Sequence, residues 1–136
     1  MKIYFAGSIR AGRDDVGLYS QIIEFLKKHG EVLTEHIGDK NVSIEGEKGI
    51  SDNAIHDRDI NWLLSADILV AEVTTPSLGV GYEIGRALEH GKKILCLYRP
   101  AKVHKLSGML SGCKDITLKD YDDIKEVEEI IEEFLK

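Results

Sequence analysis

The chain alternates between short apolar runs and longer stretches in which apolar residues recur at helical spacing. Continuous apolar runs without polar alternation are typical of strands buried on both faces of a sheet. Such runs, together with the turn signals around them, predict strands at Lys2–Ala6, Glu31–Thr34, Asp67–Ala71, Ile94–Tyr98 and around Ile116 and Leu118.

Helical spacing fills the intervals between these runs. It predicts one helix capped by Asp14 or Asp15 and ended by Gly30, and further helices at Asp52–Ser65, Ser77–His90 and Tyr121–Lys136. Glu35–Ser51 is polar and contains glycines, which predicts a long loop. Pro100–Gly112 predicts an irregular segment with one short helix.

This order predicts one α/β domain over residues 1–136, doubly wound in the Rossmann or flavodoxin manner. Its parallel sheet would have about five strands, with helices on both faces. Ligands of such sheets bind beyond the C-terminal ends of the strands, where the strand order reverses. We therefore expect the chemistry in the turns after the first and third strands and in the segment after the fourth.

The composition of the chain restricts which partners and which cellular location we expect. The 136 residues are 43% hydrophobic and 31% charged, with a formal net charge of −6. A general nucleic-acid binder needs a basic face, so we expect no nucleic-acid polymer as a partner. Cys96 and Cys113 lack metal-site spacing, and no long apolar segment opens the chain. We expect neither a signal peptide nor a membrane span, and a reducing, cytoplasmic location.

The run Gly7-Ser-Ile-Arg10 follows the first predicted strand. A glycine lets the backbone approach a ligand, successive N–H groups can hold an anion, and Arg10 could contact a phosphate. The same residues would serve equally as a plain strand-to-helix turn with a surface arginine. The run lacks the Gly-x-Gly-x-x-Gly pattern, so it does not predict a dinucleotide site.

The third predicted strand leads into Thr74-Thr-Pro-Ser-Leu-Gly-Val-Gly-Tyr-Glu-Ile-Gly85. Ser77 is placed to cap a helix whose N-terminus, with Gly79 and Gly81, can bind an anion. Because the helix dipole favours negative charge there, we expect Glu83 to be ionised at neutral pH and able to act as a nucleophile. The alternative is structural: Glu83 would offset the dipole or pair with Arg86.

A second carboxylate, Asp59, lies on the helix that carries His56 and Trp62. If Asp59 faces an apolar pocket, its pKa rises and it can donate a proton beside an ionised Glu83. One attacking carboxylate and one acid is the logic of retaining glycosidases. The alternatives are a solvated helix face for Asp59, a cap or surface role for His56, and a structural role for Glu72.

Six motifs extend this picture: Tyr4-Phe-Ala-Gly-Ser-Ile-Arg10, Leu33-Thr-Glu-His36, His56-Asp-Arg-Asp59, Ala71-Glu-Val-Thr74, Pro76-Ser-Leu-Gly-Val-Gly-Tyr-Glu-Ile-Gly-Arg-Ala87 and Ile94-Leu-Cys-Leu-Tyr-Arg-Pro100. Together they resemble the 2′-deoxynucleoside 5′-phosphate N-hydrolases, within the wider nucleoside 2-deoxyribosyltransferase group. The resemblance runs from Tyr4 to about Met109, and the segment Pro76–Ala87 is its strongest part.

The resemblance implies hydrolysis of the base–sugar bond of 2′-deoxynucleoside 5′-monophosphates, with no metal or organic cofactor. It implies Glu83 as a nucleophile that forms an ester at C1′, Asp59 as the acid that assists the departing base, and Tyr4 as the residue that orients them. The implied substrate and phosphate contacts are Phe5, Ala6, Gly7, Ser8, Ile9, Arg10, Tyr19, His36, Ser77 and Gly79, with Tyr19 and His36 flanking the pocket. Ser107, Gly108 and Met109 resemble a segment that a neighbouring subunit inserts into the site, which implies a homodimer.

Two other functions stay open at this point. A base-exchanging 2-deoxyribosyltransferase would use an unphosphorylated nucleoside, and the phosphate-type residues Ser8, Arg10 and Ser77 argue against it. A non-catalytic nucleotide-binding module would not need the acidic pair Asp59 and Glu83. Residues 37–50 and 101–105 match no motif of the family, so no base preference is predicted.

Overall fold

A computed structural model describes residues 1–9, 15–38, 49–102 and 105–136. The strands are β1 (Lys2–Ala6), β2 (Glu31–Val32), β3 (Ile68–Glu72), β4 (Lys93–Tyr98) and β5 (Ile116–Asp120). They form one five-stranded sheet in the order β2-β1-β3-β4-β5, and every neighbouring pair is parallel. The predicted doubly wound architecture is confirmed, and the strand order reverses between β1 and β3.

The helices follow the predicted positions with small shifts at their ends. The described α-helices are α1 (Val16–Lys27), α2 (Asp52–Ser65), α3 (Leu78–Glu89), α4 (Gly108–Ser111) and α5 (Ile124–Leu135), with 3₁₀ turns at Glu35–Gly38 and Pro100–Lys102. The short helix expected after β4 is therefore confirmed as α4. Across the described ranges, none of these helices combines the length and apolar character that crossing a membrane requires.

Two apolar layers cover the sheet, one on each face. On one face, α1 and α5 pack on strand residues such as Ile3 and Val70. On the other face, α2 and α3 cover residues such as Tyr4 and Leu69. Because successive side chains of a strand point to opposite faces, Tyr4 is directed to the side of α2 and α3.

Strand β2 ends at Val32, two residues before the predicted end, because the Thr34 side chain replaces strand pairing. Thr34 Oγ1 accepts a hydrogen bond from the Phe5 N–H at 2.8 Å and donates one to the Phe5 carbonyl at 2.6 Å. The Ile37 N–H then donates to the Thr34 carbonyl at 3.0 Å, which begins the 3₁₀ turn. The predicted loop is therefore wrong for Glu35–Gly38, and residues 39–48 lie outside the described residues.

Three helix starts test the capping predictions. Asp15 stands at the N-cap of α1 but makes no side-chain capping bond among the described residues, because its carboxylate accepts from Arg99 Nη2 at 2.6 Å. The capping role expected of Asp15 is therefore wrong, and Asp14 lies outside the described residues. Ser77 does cap α3, since its Oγ accepts from the Val80 N–H at 3.3 Å. Helix α5 begins at Ile124 rather than at residue 121, because residues 123 and 126 form a capping box.

Candidate active site

Tyr4 and Glu83 form the centre of the site. Tyr4 is paired with Leu69 of β3, so it lies at the point where the strand order reverses. Its hydroxyl donates a short hydrogen bond to Glu83 Oε2 on α3. The structure therefore brings together the predicted nucleophile and the residue predicted to orient it.

Burial controls the charge of Glu83. It raises the pKa of Glu83 to about 7, the Tyr4 hydrogen bond lowers that pKa in part, and the negative charge of Asp59 raises it further. The helix dipole does not cancel this effect, because Glu83 lies beyond the first turn of α3 and the dipole effect fades within one turn. A pKa of about 7 leaves part of Glu83 ionised at neutral pH, so a charged fraction is available for attack.

Tyr4 has the opposite role in the pair. Burial, and next the charge of Glu83, raise the pKa of Tyr4 far above its ordinary value. Tyr4 therefore remains a neutral hydrogen-bond donor over the working pH range. It can orient the Glu83 carboxylate without adding a second negative charge beside it.

The Asp59 carboxylate, whose side chain is 22% exposed, is bound by a charged neighbour. Its neighbour Arg58 donates to Asp59 Oδ1 from Nε at 3.0 Å and from Nη2 at 2.9 Å. Two charge-assisted hydrogen bonds from Arg58 fix the orientation of the Asp59 carboxylate. Sequence reasoning missed Arg58, and its place between the two aspartates of His56-Asp-Arg-Asp59 was the signal that could have found it.

Arg58 is held in turn by two aromatic side chains. Its Cζ lies 4.8 Å from the centre of the Trp62 ring, and its Nη2 lies 3.5 Å from His36 Nε2. The His36 and Trp62 rings are 5.7 Å apart. His36, which was predicted to flank the pocket, is therefore part of the same cluster as Asp59.

Gly7 and Ser8 follow β1 at the same edge of the sheet. A Cβ on Gly7 would lie 2.8 Å from the Tyr19 ring, so the backbone passes this ring only because the residue is glycine. Tyr19 is 1% exposed, and its hydroxyl accepts from the Ser8 N–H at 3.0 Å. Tyr19 therefore packs beneath Gly7 and Ser8, and its place beside the substrate pocket stays a prediction. Arg10 lies outside the described residues.

Other residues of this segment belong to the core. Phe5 is fully buried against Tyr19, and both of its backbone groups bond to Thr34. Ala6 is 1% exposed in the layer under α2 and α3, and Ile9 packs against the opposite layer. These placements do not support the predicted substrate contacts of the Phe5, Ala6 and Ile9 side chains.

The start of α3 has the form of an anion site. The N–H groups of the first turn of a helix lack acceptors within the helix. Ser77 supplies acceptors to Val80 and Gly81, at 3.3 and 3.1 Å, which leaves Leu78 and Gly79 as the candidate phosphate donors. A Cβ on Gly79 would approach only Ser77 Oγ, at 3.8 Å, so this backbone is open to a ligand.

An apolar cavity of about 690 Å³ adjoins this helix start. Ser77 and Leu78 form one wall, and Ser107 and Met109 form the other. Ser107 caps α4, where its Oγ accepts from the Met109 N–H at 3.2 Å, and Gly108 is the first residue of that helix. The predicted inserting segment is therefore an exposed element beside the candidate phosphate site.

Glu72 is the centre of a second buried polar cluster at the end of β3. It accepts from the Thr74 N–H at 2.7 Å, the Thr74 hydroxyl at 3.0 Å and the Tyr121 hydroxyl at 2.5 Å. Arg99 Nε lies 3.3 Å from Glu72, and Arg99 Nη2 lies 2.6 Å from Asp15. These partners compensate the charge of Glu72, which favours the structural alternative for this residue.

His56 lies at the surface, on the side of α2 that faces α3. Its side chain is 48% exposed, and its Nε2 is 2.9 Å from the Tyr82 hydroxyl. Arg86 Nη1 donates to the same hydroxyl at 2.5 Å. The surface role of His56 is therefore the one observed, and Arg86 bonds to Tyr82 instead of forming the alternative ion pair with Glu83.

The fold is an α/β sheet with a carboxylate, Glu83, beside the strand-order reversal at which such sheets bind ligands. A sequence profile described as nucleoside 2-deoxyribosyltransferase matches residues 3–127, and the chain belongs to this family. It is 51% identical over 140 residues to a 5-hydroxymethyl-dUMP N-hydrolase of Esox lucius, covering 100% of this chain and 97% of the relative. It is 45% identical over 138 residues to the Homo sapiens protein of the same name, covering 98% and 79%.

Solved structures show the same fold at low sequence identity. A CMP N-glycosidase of Clostridium botulinum superposes with a TM-score of 0.67 at 18% identity, covering 97% of this chain and 99% of that one. A 2-deoxyribosyltransferase of Bacillus psychrosaccharolyticus gives a TM-score of 0.66 at 20% identity, covering 94% and 90%. The fold of this chain is therefore shared by an N-glycosidase and by a 2-deoxyribosyltransferase.

Proposed function

We propose that this chain hydrolyses the N-glycosidic bond of 2′-deoxynucleoside 5′-monophosphates, releasing free base and 2-deoxyribose 5-phosphate. One observation carries the proposal: Glu83 is a carboxylate oriented by Tyr4 and titrating near neutrality, at the sheet edge where such folds bind ligands. The names of the relatives point to a uracil-type base as the first substrate to test.

The reaction would proceed in two displacements at C1′. First, Glu83 attacks C1′ while the C1′–N bond breaks and its electron pair leaves with the base. A uracil-type base tolerates this charge because two carbonyl groups delocalise it. Water then attacks C1′, Asp59 accepts the proton of the water, and the C1′–O bond breaks to restore the Glu83 carboxylate. Asp59 finally passes the proton to the base anion, so charges and atoms balance.

The 5′-phosphate would supply the binding energy that positions C1′. The N–H groups of Leu78 and Gly79 at the start of α3 are suited to hold it. Contacts to a part of the substrate that does not react can be used to orient the part that does. We therefore expect an unphosphorylated deoxynucleoside to react far more slowly than its 5′-monophosphate.

Turnover of 5-hydroxymethyl-dUMP, dUMP, dGMP and the matching ribonucleotides, followed by chromatography of the free base, tests this function. We expect base release from deoxynucleotides and little from ribonucleotides. No release from any deoxynucleotide would overturn the proposal. Adenine added to the assay tests the alternative, because exchange that outruns hydrolysis would identify a base-exchanging transferase.

We also propose that the enzyme works as a homodimer in the cytoplasm. Leu78 is 96% exposed, Met109 84% and Tyr82 47%, so large apolar side chains are gathered around α3 and α4. A second copy covering this face would bring its own residues 107–109 to the site. Both cysteines are free, Cys96 being buried and Cys113 partly buried, which suits a reducing compartment.

Light scattering at micromolar concentration tests the dimer. Leu78→Asp should produce monomers with reduced turnover, whereas Leu64→Asp, a matched change at a residue 37% exposed on α2, should leave the dimer intact. A wild-type monomer with full turnover would overturn the proposal.

A further inference from the structure

Arg58 and Asp59 are neighbours in sequence, and their contact needs an explanation. Adjacent residues of a helix point in different directions and do not normally face each other. Arg58 nevertheless places both Nε and Nη2 within 3.0 Å of one oxygen, Asp59 Oδ1. The guanidinium must therefore fold back over α2 to reach the carboxylate.

Trp62 and His36 hold Arg58 in this folded-back position. Trp62 lies one helical turn further along α2, and its ring centre is 4.8 Å from Arg58 Cζ. His36, from the 3₁₀ turn after β2, is 3.5 Å from Arg58 Nη2. The Arg58 side chain is only 27% exposed, so its charge acts within the site rather than in bulk water.

The groups that face this ion pair come from each neighbouring element. Tyr4 comes from β1, Glu83 from α3 and His36 from the 3₁₀ turn. The charge of Asp59 raises the pKa of both Tyr4 and Glu83, whereas the charge of Arg58 lowers that of Tyr4. The two carboxylates, Asp59 and Glu83, are therefore close enough to affect each other, and Arg58 adds a positive charge beside them.

We propose that Arg58 is a positioning residue: it fixes the Asp59 carboxylate in one orientation and reduces its repulsion of Glu83, so that both carboxylates can be charged together. This inference rests on the proposed function, since two displacement steps need Glu83 as attacking group and Asp59 as proton acceptor. Arg58 itself need not touch the substrate.

Arg58→Met keeps the length of the side chain and removes the charge. We expect kcat to fall by roughly tenfold to a hundredfold, with KM for the deoxynucleotide changed less than about twofold. The acidic limb of log(kcat/KM) against pH should move to higher pH, because Asp59 then loses the opposite charge that Arg58 places beside it. Arg58→Lys should return the acidic limb most of the way to its wild-type pH, because lysine keeps the positive charge. It should not restore kcat, because lysine lacks the two N–H groups of the guanidinium that contact Asp59 together.

Lys93→Met is the matched control. Lys93 Nζ also lies over an aromatic ring, 4.5 Å from the centre of Phe134, but at the opposite end of the sheet. It should leave the pH profile and kcat unchanged. An Arg58→Met enzyme with wild-type pH profile and kcat, or one changed only in KM, would overturn the inference.

A carboxyl ¹³C titration of Glu83 by NMR gives a readout that needs no turnover. The titration midpoint should rise in Arg58→Met and stay at its wild-type value in Lys93→Met. An unchanged midpoint in a folded Arg58→Met protein contradicts the inference. Failure of the proposed function would instead show as absence of base release by the wild type, so the two failures are distinguishable.

Discussion

Two carboxylates lie at the C-terminal edge of the same sheet, and their surroundings differ in the number of donors and in the charge beside them. Glu72 is 1% exposed but accepts from a backbone N–H, two hydroxyls and Arg99. Glu83 accepts from Tyr4 alone among the described residues and feels the like charge of Asp59. A buried carboxylate with many donors is a structural element, whereas one with few donors keeps its reactivity.

The largest effect that would test this contrast is on catalysis. Glu83→Gln should lower base release by at least about a thousandfold, or roughly 4 kcal/mol of activation free energy, because an amide cannot form the glycosyl ester. Glu89→Gln, at the exposed end of α3, is the control and should keep the wild-type rate. A Glu83→Gln enzyme with more than a tenth of the wild-type rate would remove Glu83 from its proposed role.

The second effect is a loss of stability when the other carboxylate, Glu72, is substituted. Glu72→Gln should lower the free energy of unfolding by about 2 to 3 kcal/mol, because it leaves Arg99 with Asp15 as its remaining counter-charge. Urea denaturation measures this loss. Glu133→Gln, whose side chain is 72% exposed in its pair with Lys136, should change stability by less than about 0.5 kcal/mol. Equal losses in the two variants would contradict the contrast.

The third effect is also on stability, but substitution of Glu83 should stabilise the folded protein rather than destabilise it. Its pKa of about 7 in the folded protein lies above the ordinary value of 4.5, so folding is penalised as the pH rises through this window. Glu83→Gln should therefore stabilise the protein by roughly 1 to 3 kcal/mol above pH 7 and by little below pH 4.5. Thermal melts at pH 4 and pH 8 measure the difference, and a destabilised variant at pH 8 would refute it.

The smallest effect concerns the one donor that Glu83 has. Tyr4→Phe removes the hydrogen bond that lowers the pKa of Glu83, so the acidic limb of kcat/KM should move to higher pH. The limiting rate at high pH should fall by only about tenfold, since Glu83 is then ionised without help. A limb that stays in place would show that Tyr4 does not control the charge of Glu83.

The sequence predicts the sheet because strands and helices depend on local pattern, whereas the pairing of Tyr4 with Glu83 was implied by the family resemblance. Apolar runs mark β1, β3 and β4, and the segment around Ser77 marks a helix start with Glu83 on it. The charge of Glu83 could not be predicted in the same way, since it depends on burial by elements distant in sequence. Burial, a tertiary effect, determines the pKa of Glu83 more than the dipole of its own helix does.

Arg58 and Tyr19 also show that the surroundings of a side chain could not be predicted from the sequence. In the sequence, Arg58 resembles a charged residue at the surface. Only the fold shows that His36, 22 residues earlier, helps to hold Arg58 over Asp59. Tyr19 resembles a pocket residue, yet the chain places it in the core beneath Gly7. Motif resemblance identifies which residues matter, while side-chain direction depends on packing that a motif does not contain.

The contact between Gly7 and Tyr19 also constrains how this enzyme can evolve. Any side chain at position 7 would collide with the ring at 2.8 Å, so Gly7→Ala is excluded while Tyr19 is present. A smaller residue at position 19 must be fixed first, and it would leave a void and remove the acceptor of the Ser8 N–H. The two positions are therefore coupled, because a side chain at position 7 requires the Tyr19 ring to move or to be replaced.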